Sequence, residues 1–161
     1  MTKTLYFAYG SNMNQHQMAA RCPDAEVIGK VSLEGYRLAF RSSGVATILL
    51  EEGGRVEGVL WRISAEDEQR LDIYEGYPRL YGKEEIEVKL PDGCLVQTMV
   101  YTMNPPYCQQ PALPPMSYLI GILEGCAQNG VDGKAVLDAA KQTKQEVVRQ
   151  HSKHREQGKE R

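Results

Sequence analysis

The stretch Leu5-Tyr6-Phe7-Ala8-Tyr9-Gly10-Ser11-Asn12-Met13 decides how this chain reads. Leu5 to Tyr9 are apolar or aromatic, as in a buried strand, Gly10 frees the backbone, and Asn12 with Gln15 three positions on has the capping-box spacing of a helix start. Such a junction aims free backbone N–H groups and the helix N-terminal partial charge into one small volume, suited to a carboxylate, a phosphate or a developing oxyanion. A plain strand-turn-helix that binds nothing has the same pattern, so the rest of the chain must decide between them.

At 161 residues with 42% hydrophobic content, the chain can bury one core and is expected to form one domain. Nineteen Lys and Arg stand against 21 Asp and Glu, a net charge of −2, which points to a small partner and away from nucleic acid or an anionic membrane surface. No apolar run approaches the ~20 residues of a membrane helix, and the N-terminal run is too short for a signal-peptide core, so the expected location is cytoplasmic. Cys22, Cys94, Cys108 and Cys126 are widely spaced and read as reduced thiols, mostly buried.

Met13 to Arg21 reads as a short helix stopped by Pro23. On that helix Arg21 either reaches back toward a ligand carboxylate or faces solvent. Four strand-like runs follow, at Ala25–Leu33, Tyr36–Phe40, Val45–Leu50 and Arg55–Ile63, with Gly53-Gly54 as a hairpin turn between the last two. Short alternating strands joined by tight turns favour an antiparallel or mixed sheet, curled or closed into a barrel. Ser64 as N-cap and the acidic first turn of Glu66, Asp67 and Glu68 start a helix to about Tyr74, ended by Gly76 and Pro78. Glu75 then sits at the negative end of a helix among Tyr74, Tyr77 and Tyr81, an environment that raises a carboxyl pKa; an exposed helix-end glutamate is the plainer reading.

Glu84–Leu90 and Leu95–Met103 form a hairpin across Pro91-Asp92-Gly93. Residues 104–115 carry five prolines and form a stiff loop, one use of which is a flap over a pocket. Tyr118, Leu119, Ile122, Leu123 and Cys126 recur at helical spacing in a helix closing near Gly130, and the Tyr118 phenol needs a partner or a ligand. A second helix starts at Asp132, and Arg149–Arg161 is a polar tail read as a frayed helix end or disordered. Two of three histidines lie in that tail, leaving only His16 in the body, and no nucleophile elbow, phosphate loop or dinucleotide fingerprint is present.

Tyr9-Gly10-Ser11-Asn12-Met13 ending the first strand, with Asp72-Ile73-Tyr74-Glu75-Gly76-Tyr77-Pro78 and Leu80-Tyr81, resembles the gamma-glutamylcyclotransferase-like superfamily, over about Leu5 to Gly130. The resemblance implies an α+β fold, a small mixed and mostly antiparallel β-barrel flanked by helices. Residues 1–130 would be the catalytic domain and 131–161 a C-terminal helix and polar tail. It implies that Tyr9, Gly10, Ser11, Asn12 and Tyr118 bind substrate and that Glu75 is the catalytic acid/base. The reaction it implies is attack of a γ-glutamyl α-amine on its own γ-carbonyl, releasing 5-oxoproline and an amine or amino acid, with no metal or organic cofactor. The serine that usually precedes the Tyr-Leu pair in this family is Pro115 here, and Ser117 is the nearby hydroxyl. The expected state is a monomer or weak homodimer. The alternatives are a non-catalytic module binding a small carboxylate on the same fold, and an interaction protein that works through its basic tail.

Overall fold

The computed structural model describes residues 3–159. Five strands close a mixed barrel in the order β1-β3-β2-β4-β5, where β1 is Thr4–Ala8, β2 Glu26–Arg41, β3 Val45–Ile63, β4 Tyr81–Lys89 and β5 Leu95–Met103. Neighbours run antiparallel except β1 and β5, which meet in parallel at Tyr6 and Met99; β2 and β4 touch at the single pairing of Ser32 with Lys89. Four helices surround it: α1 (Gln15–Arg21), α2 (Ala65–Glu75), α3 (Met116–Asn129) and α4 (Gly133–Lys159). The barrel matches the expected class, and Phe7, Phe40, Leu60, Ile63, Val88 and Tyr101 are among its fully buried side chains.

Two strands replace the four short runs. Opposite Gly35 in β2, residues 51–54 of β3 bulge outward: Glu34 pairs with Arg55 and Tyr36 with Leu50, and the same two strands stay partners on both sides. Gly53-Gly54 is therefore part of a bulge and not a hairpin turn. Gly35 and Gly53 take φ of 85° and 78°, values that side chains other than glycine tolerate poorly. Bulges bend and twist a strand, which lets two long strands wrap a small barrel. The hairpin itself closes at Ser42–Gly44, where Gly44 N donates to Arg41 O at 3.0 Å.

The chain after β1 also differs from its expected reading. Ser11–Met13 form a 3-10 turn, and α1 is capped by Asn14, whose Oδ1 accepts from the N–H groups of His16 and Gln17 at 3.1 and 3.2 Å. Asn12 is thereby released from capping.

The α2 signals work as read. Ser64 Oγ accepts from Asp67 N at 3.1 Å, the Asp67 carboxylate accepts from Ser64 N, and Gly76 at φ 66° ends the helix. Ser64→Ala is expected to cost about 1 kcal/mol of folding stability, measured by urea titration; unchanged stability would show that the cap contributes nothing here.

The proline-rich loop contributes no residue to the cleft that Gly10, Asn12 and Glu75 line. Ala112 N donates to Phe40 O at 3.3 Å and Ser42 N donates to Gln110 O at 2.6 Å, so the loop covers the outer edge of β2. α4 packs beside it: Thr143 Oγ1 accepts from Phe40 N at 3.3 Å, and Arg41 Nη2 pairs with Glu146 Oε2 at 2.7 Å. Instead of fraying at Arg149, α4 continues to Lys159, a polar run of helix-favouring residues with no proline; Glu160 and Arg161 lie outside the described residues. No helix among the described residues is long and apolar enough to cross a membrane. The four cysteines are free, with Cys22 and Cys126 buried and Cys94 exposed.

Candidate active site

A cleft of about 230 Å³ opens into the barrel and brings Tyr9, Gly10, Ser11, Asn12, Glu75 and Tyr118 to one surface. Its remaining walls are Tyr6, Tyr74, Tyr81 and Tyr101 with Val45, Ala46 and Leu80. Each element places its residue for a local reason. β1 runs inward to Tyr9 and breaks at Gly10, whose missing side chain matters, since a Cβ there would lie 3.1 Å from Ala46 Cβ and 3.5 Å from the Tyr118 hydroxyl. α2 delivers Glu75 as its last residue because Gly76 stops it there.

Glu75 is only partly buried as a residue, yet protein atoms crowd its carboxyl on most sides. That desolvation pushes its pKa up to about 7, and the nearby Arg21 guanidinium pulls it partly back. Asn12 Nδ2 donates to Glu75 Oε1 at 3.3 Å and to the Tyr6 hydroxyl at 2.9 Å. The two motifs, 63 positions apart in the chain, are thus joined by a hydrogen bond.

Burial holds the phenols of Tyr6, Tyr9, Tyr81, Tyr101 and Tyr118 well above their usual pKa, so they are neutral donors. Their protons are not equally available. Tyr9 OH donates to Tyr101 O at 2.6 Å, Tyr81 OH to Ala46 O, and Tyr101 OH to Asp72 Oδ1 at 2.6 Å. The Tyr118 and Tyr6 oxygens instead accept, from Ala46 N at 2.9 Å and from Asn12, so each keeps its own O–H for another partner.

Tyr74 and Tyr81, expected around Glu75, do line the cleft, whereas Tyr77, expected beside them, is exposed and outside it; Tyr6 and Tyr101 were not singled out from sequence. A compositional signal existed: nine tyrosines against two phenylalanines, and six of the nine line this cleft. Arg21 does not line it; the guanidinium lies 3.8 Å over the Tyr74 ring and bonds to Asn12. His16 and Ser117 are exposed and outside the lining, so Ser117 does not supply the hydroxyl missing at Pro115. Among the described residues, no three His, Cys, Asp or Glu are grouped to hold a metal.

The family model for "Gamma-glutamyl cyclotransferase, AIG2-like" matches residues 6–119, a span that includes every one of these wall residues. The chain belongs to the gamma-glutamylcyclotransferase family.

Gamma-glutamylcyclotransferase from Homo sapiens is 30% identical over 138 residues, covering 79% of this chain and 72% of that protein; the Mus musculus protein of the same name gives the same figures. A solved gamma-glutamyl cyclotransferase structure superposes with a TM-score of 0.76 at 28% identity, over 88% of this chain and 86% of that one. The family is an enzyme class, and the five-stranded barrel with its helices is the gamma-glutamylcyclotransferase fold.

Proposed function

We propose that this chain releases 5-oxoproline from a γ-glutamyl amine or γ-glutamyl amino acid by attack of the α-amine on the γ-carbonyl of the same substrate. The observation that carries this reading is a carboxyl with a pKa of about 7 in the cleft that holds the Gly10–Asn12 turn. A site built only to bind an anion gains nothing from a second carboxylate, whereas a proton relay is best served by a group poised near the working pH.

The parts fit the steps. The first amides of a 3-10 turn have no partner within it and can hold the substrate's α-carboxylate through charge-assisted hydrogen bonds of about 1.5–3 kcal/mol each. With the chain folded for ring closure, attack within one molecule gains effective molarities of ~10⁵ M or more. Glu75 accepts a proton as the amine nitrogen bonds to the γ-carbon, and returns it to the departing nitrogen as the old C–N bond breaks. The protons shed by the ring nitrogen leave on the released amine, so no outside acid is consumed. The free O–H groups of Tyr6 and Tyr118, with amides near Gly10, are the donors for the oxyanion that forms between these steps. An exposed free thiol at Cys94 suits a reducing compartment, and we place the enzyme in the cytoplasm.

Chromatographic detection of 5-oxoproline across a panel of γ-glutamyl amines and amino acids tests this reading; no product from any of them would overturn it. The pH profile is a sharper check. Glu75 must be ionised to accept a proton, so kcat/KM should rise with pH through a midpoint near 7. A limb near the ordinary carboxylate value of 4.5 would separate Glu75 from the rate.

A further inference from the structure

Arg21 stands behind the cleft wall. Its Nη1 donates to Asn12 Oδ1 at 2.6 Å, its Nη2 donates to Gln17 Oε1 at 3.1 Å, and its plane lies 3.8 Å over the Tyr74 ring. It therefore ties α1 both to the turn that carries Asn12 and to the helix that ends in Glu75. A guanidinium has donors and no acceptor, so only the carbonyl end of the Asn12 amide can face it. The Nδ2 end is then turned toward Glu75 Oε1 at 3.3 Å and the Tyr6 hydroxyl at 2.9 Å. A flipped amide would set its oxygen against the Glu75 carboxylate and its NH₂ against a cation, two unfavourable contacts at once.

Resting on the cyclotransferase reading above, we propose that Arg21 is a positioning residue: by fixing which end of the Asn12 amide faces Glu75, it holds the carboxylate where the substrate amine meets it. The guanidinium does not reach the cleft surface, so its action passes through Asn12 and the Tyr74 ring. The titratable and charged groups that share the cleft with the Glu75 carboxyl or act on it are the phenols of Tyr6 from β1, Tyr9 just beyond it, Tyr81 from β4, Tyr101 from β5 and Tyr118 from α3, Tyr74 beside it on α2, and Arg21 from α1. Arg21 is the one cation among them, and its charge favours the ionised carboxylate.

Two variants test the proposal. Arg21→Met keeps bulk against Tyr74 but removes the charge and both donors. Its kcat should fall roughly 10- to 100-fold, part of the ~10²–10⁴-fold that a positioned proton relay supplies, with KM changed far less. The acid limb of the pH profile should move to higher pH. Arg21→Lys keeps the charge and one donor, and should recover part of the lost kcat and most of the pH shift. A readout independent of turnover is NMR on the unliganded protein, following the Asn12 side-chain NH₂ resonances and the Glu75 carboxyl titration. An unchanged Glu75 midpoint in Arg21→Met, or a loss confined to KM, overturns the proposal. If Arg21→Met does not fold, Arg21→Gln takes its place, and a wild-type Glu75 midpoint together with wild-type kcat in that variant overturns the proposal, because an uncharged amide supplies no cation and can face either end of Asn12. A raised Glu75 midpoint in Arg21→Met, alongside a parent protein that releases no 5-oxoproline, upholds the Arg21–Asn12–Glu75 coupling and discards the cyclotransferase reading.

Discussion

Glu75→Gln is expected to lower kcat by about 10²–10⁴-fold, the usual worth of a positioned proton relay, while the barrel stays folded. Glutamine keeps the shape of the side chain and can still accept from Asn12 Nδ2, which now lies 3.3 Å from Glu75 Oε1, but it cannot take up a proton. The same change should alter stability in a direction that marks the site. Burial raises the Glu75 pKa from 4.5 to about 7, so the folded protein binds a proton that the unfolded chain has already released over this range. Its ionisation therefore subtracts stability as pH climbs from the ordinary carboxylate value to about 7, and the loss is complete above that. Glutamine carries no such burden: Glu75→Gln should melt higher than the parent at pH 8 and much like it at pH 4. Thermal melts at both pH values, with 5-oxoproline assays of the same protein, check the pair of effects. An active Gln variant would remove Glu75 from the chemistry. One with no stability gain at pH 8 would show that the carboxyl is well hydrated.

Gly125→Ala is expected to damage both fold and turnover, although residue 125 touches no part of the cleft. An added Cβ would lie 2.8 Å from Asn14 N, 2.9 Å from Met13 C and 3.0 Å from Met13 Cβ. Two of those atoms are backbone and cannot swing aside, so either α3 or the 3-10 turn must move. The turn is held to α3 at several points: Asn129 Nδ2 donates to Met13 O at 2.9 Å, and Asn14 Nδ2 donates to Gly121 O at 2.9 Å. Overpacking of this kind costs about 1–3 kcal/mol, or roughly 2–12 °C in melting temperature for a chain of this size. Displacing the turn also carries Gly10–Asn12 away from Glu75, so kcat/KM should fall further than the stability loss explains. Gly133→Ala is the control, since its Cβ would make only an ordinary 3.4 Å contact with Leu123 Cδ2. Equal melting temperatures for the two variants would show that α3 and the turn are not close-packed.

How much of this was legible beforehand follows from the range of each signal. The Ser64 and Asp67 capping box, the stop at Gly76, the β4–β5 hairpin and the break at Tyr9-Gly10 were readable because each depends on residues within a few positions of one another. The helical spacing from Tyr118 to Cys126 was readable for the same reason. Gly53-Gly54 was misread because paired glycines serve a hairpin turn and a bulge equally well; which one forms depends on β2 continuing past Gly35 as the partner on both sides. Asn12 carries a capping signal, yet an extra turn of 3-10 helix hands the cap to Asn14 and leaves Asn12 for Arg21 and Glu75.

By itself the sequence determined some short-range parts: the start and stop of α2, the β4–β5 hairpin, the helical run through Tyr118 to Cys126, and that a carboxylate ends one helix among tyrosines. Only the tertiary structure decided what those parts do together. Hydration, charge and hydrogen-bond supply at Glu75 come from residues on β1, the 3-10 turn, β4, β5, α1 and α3, brought from across the chain to one cleft. A carboxyl's pKa is set by those neighbours in space, whatever their separation in sequence.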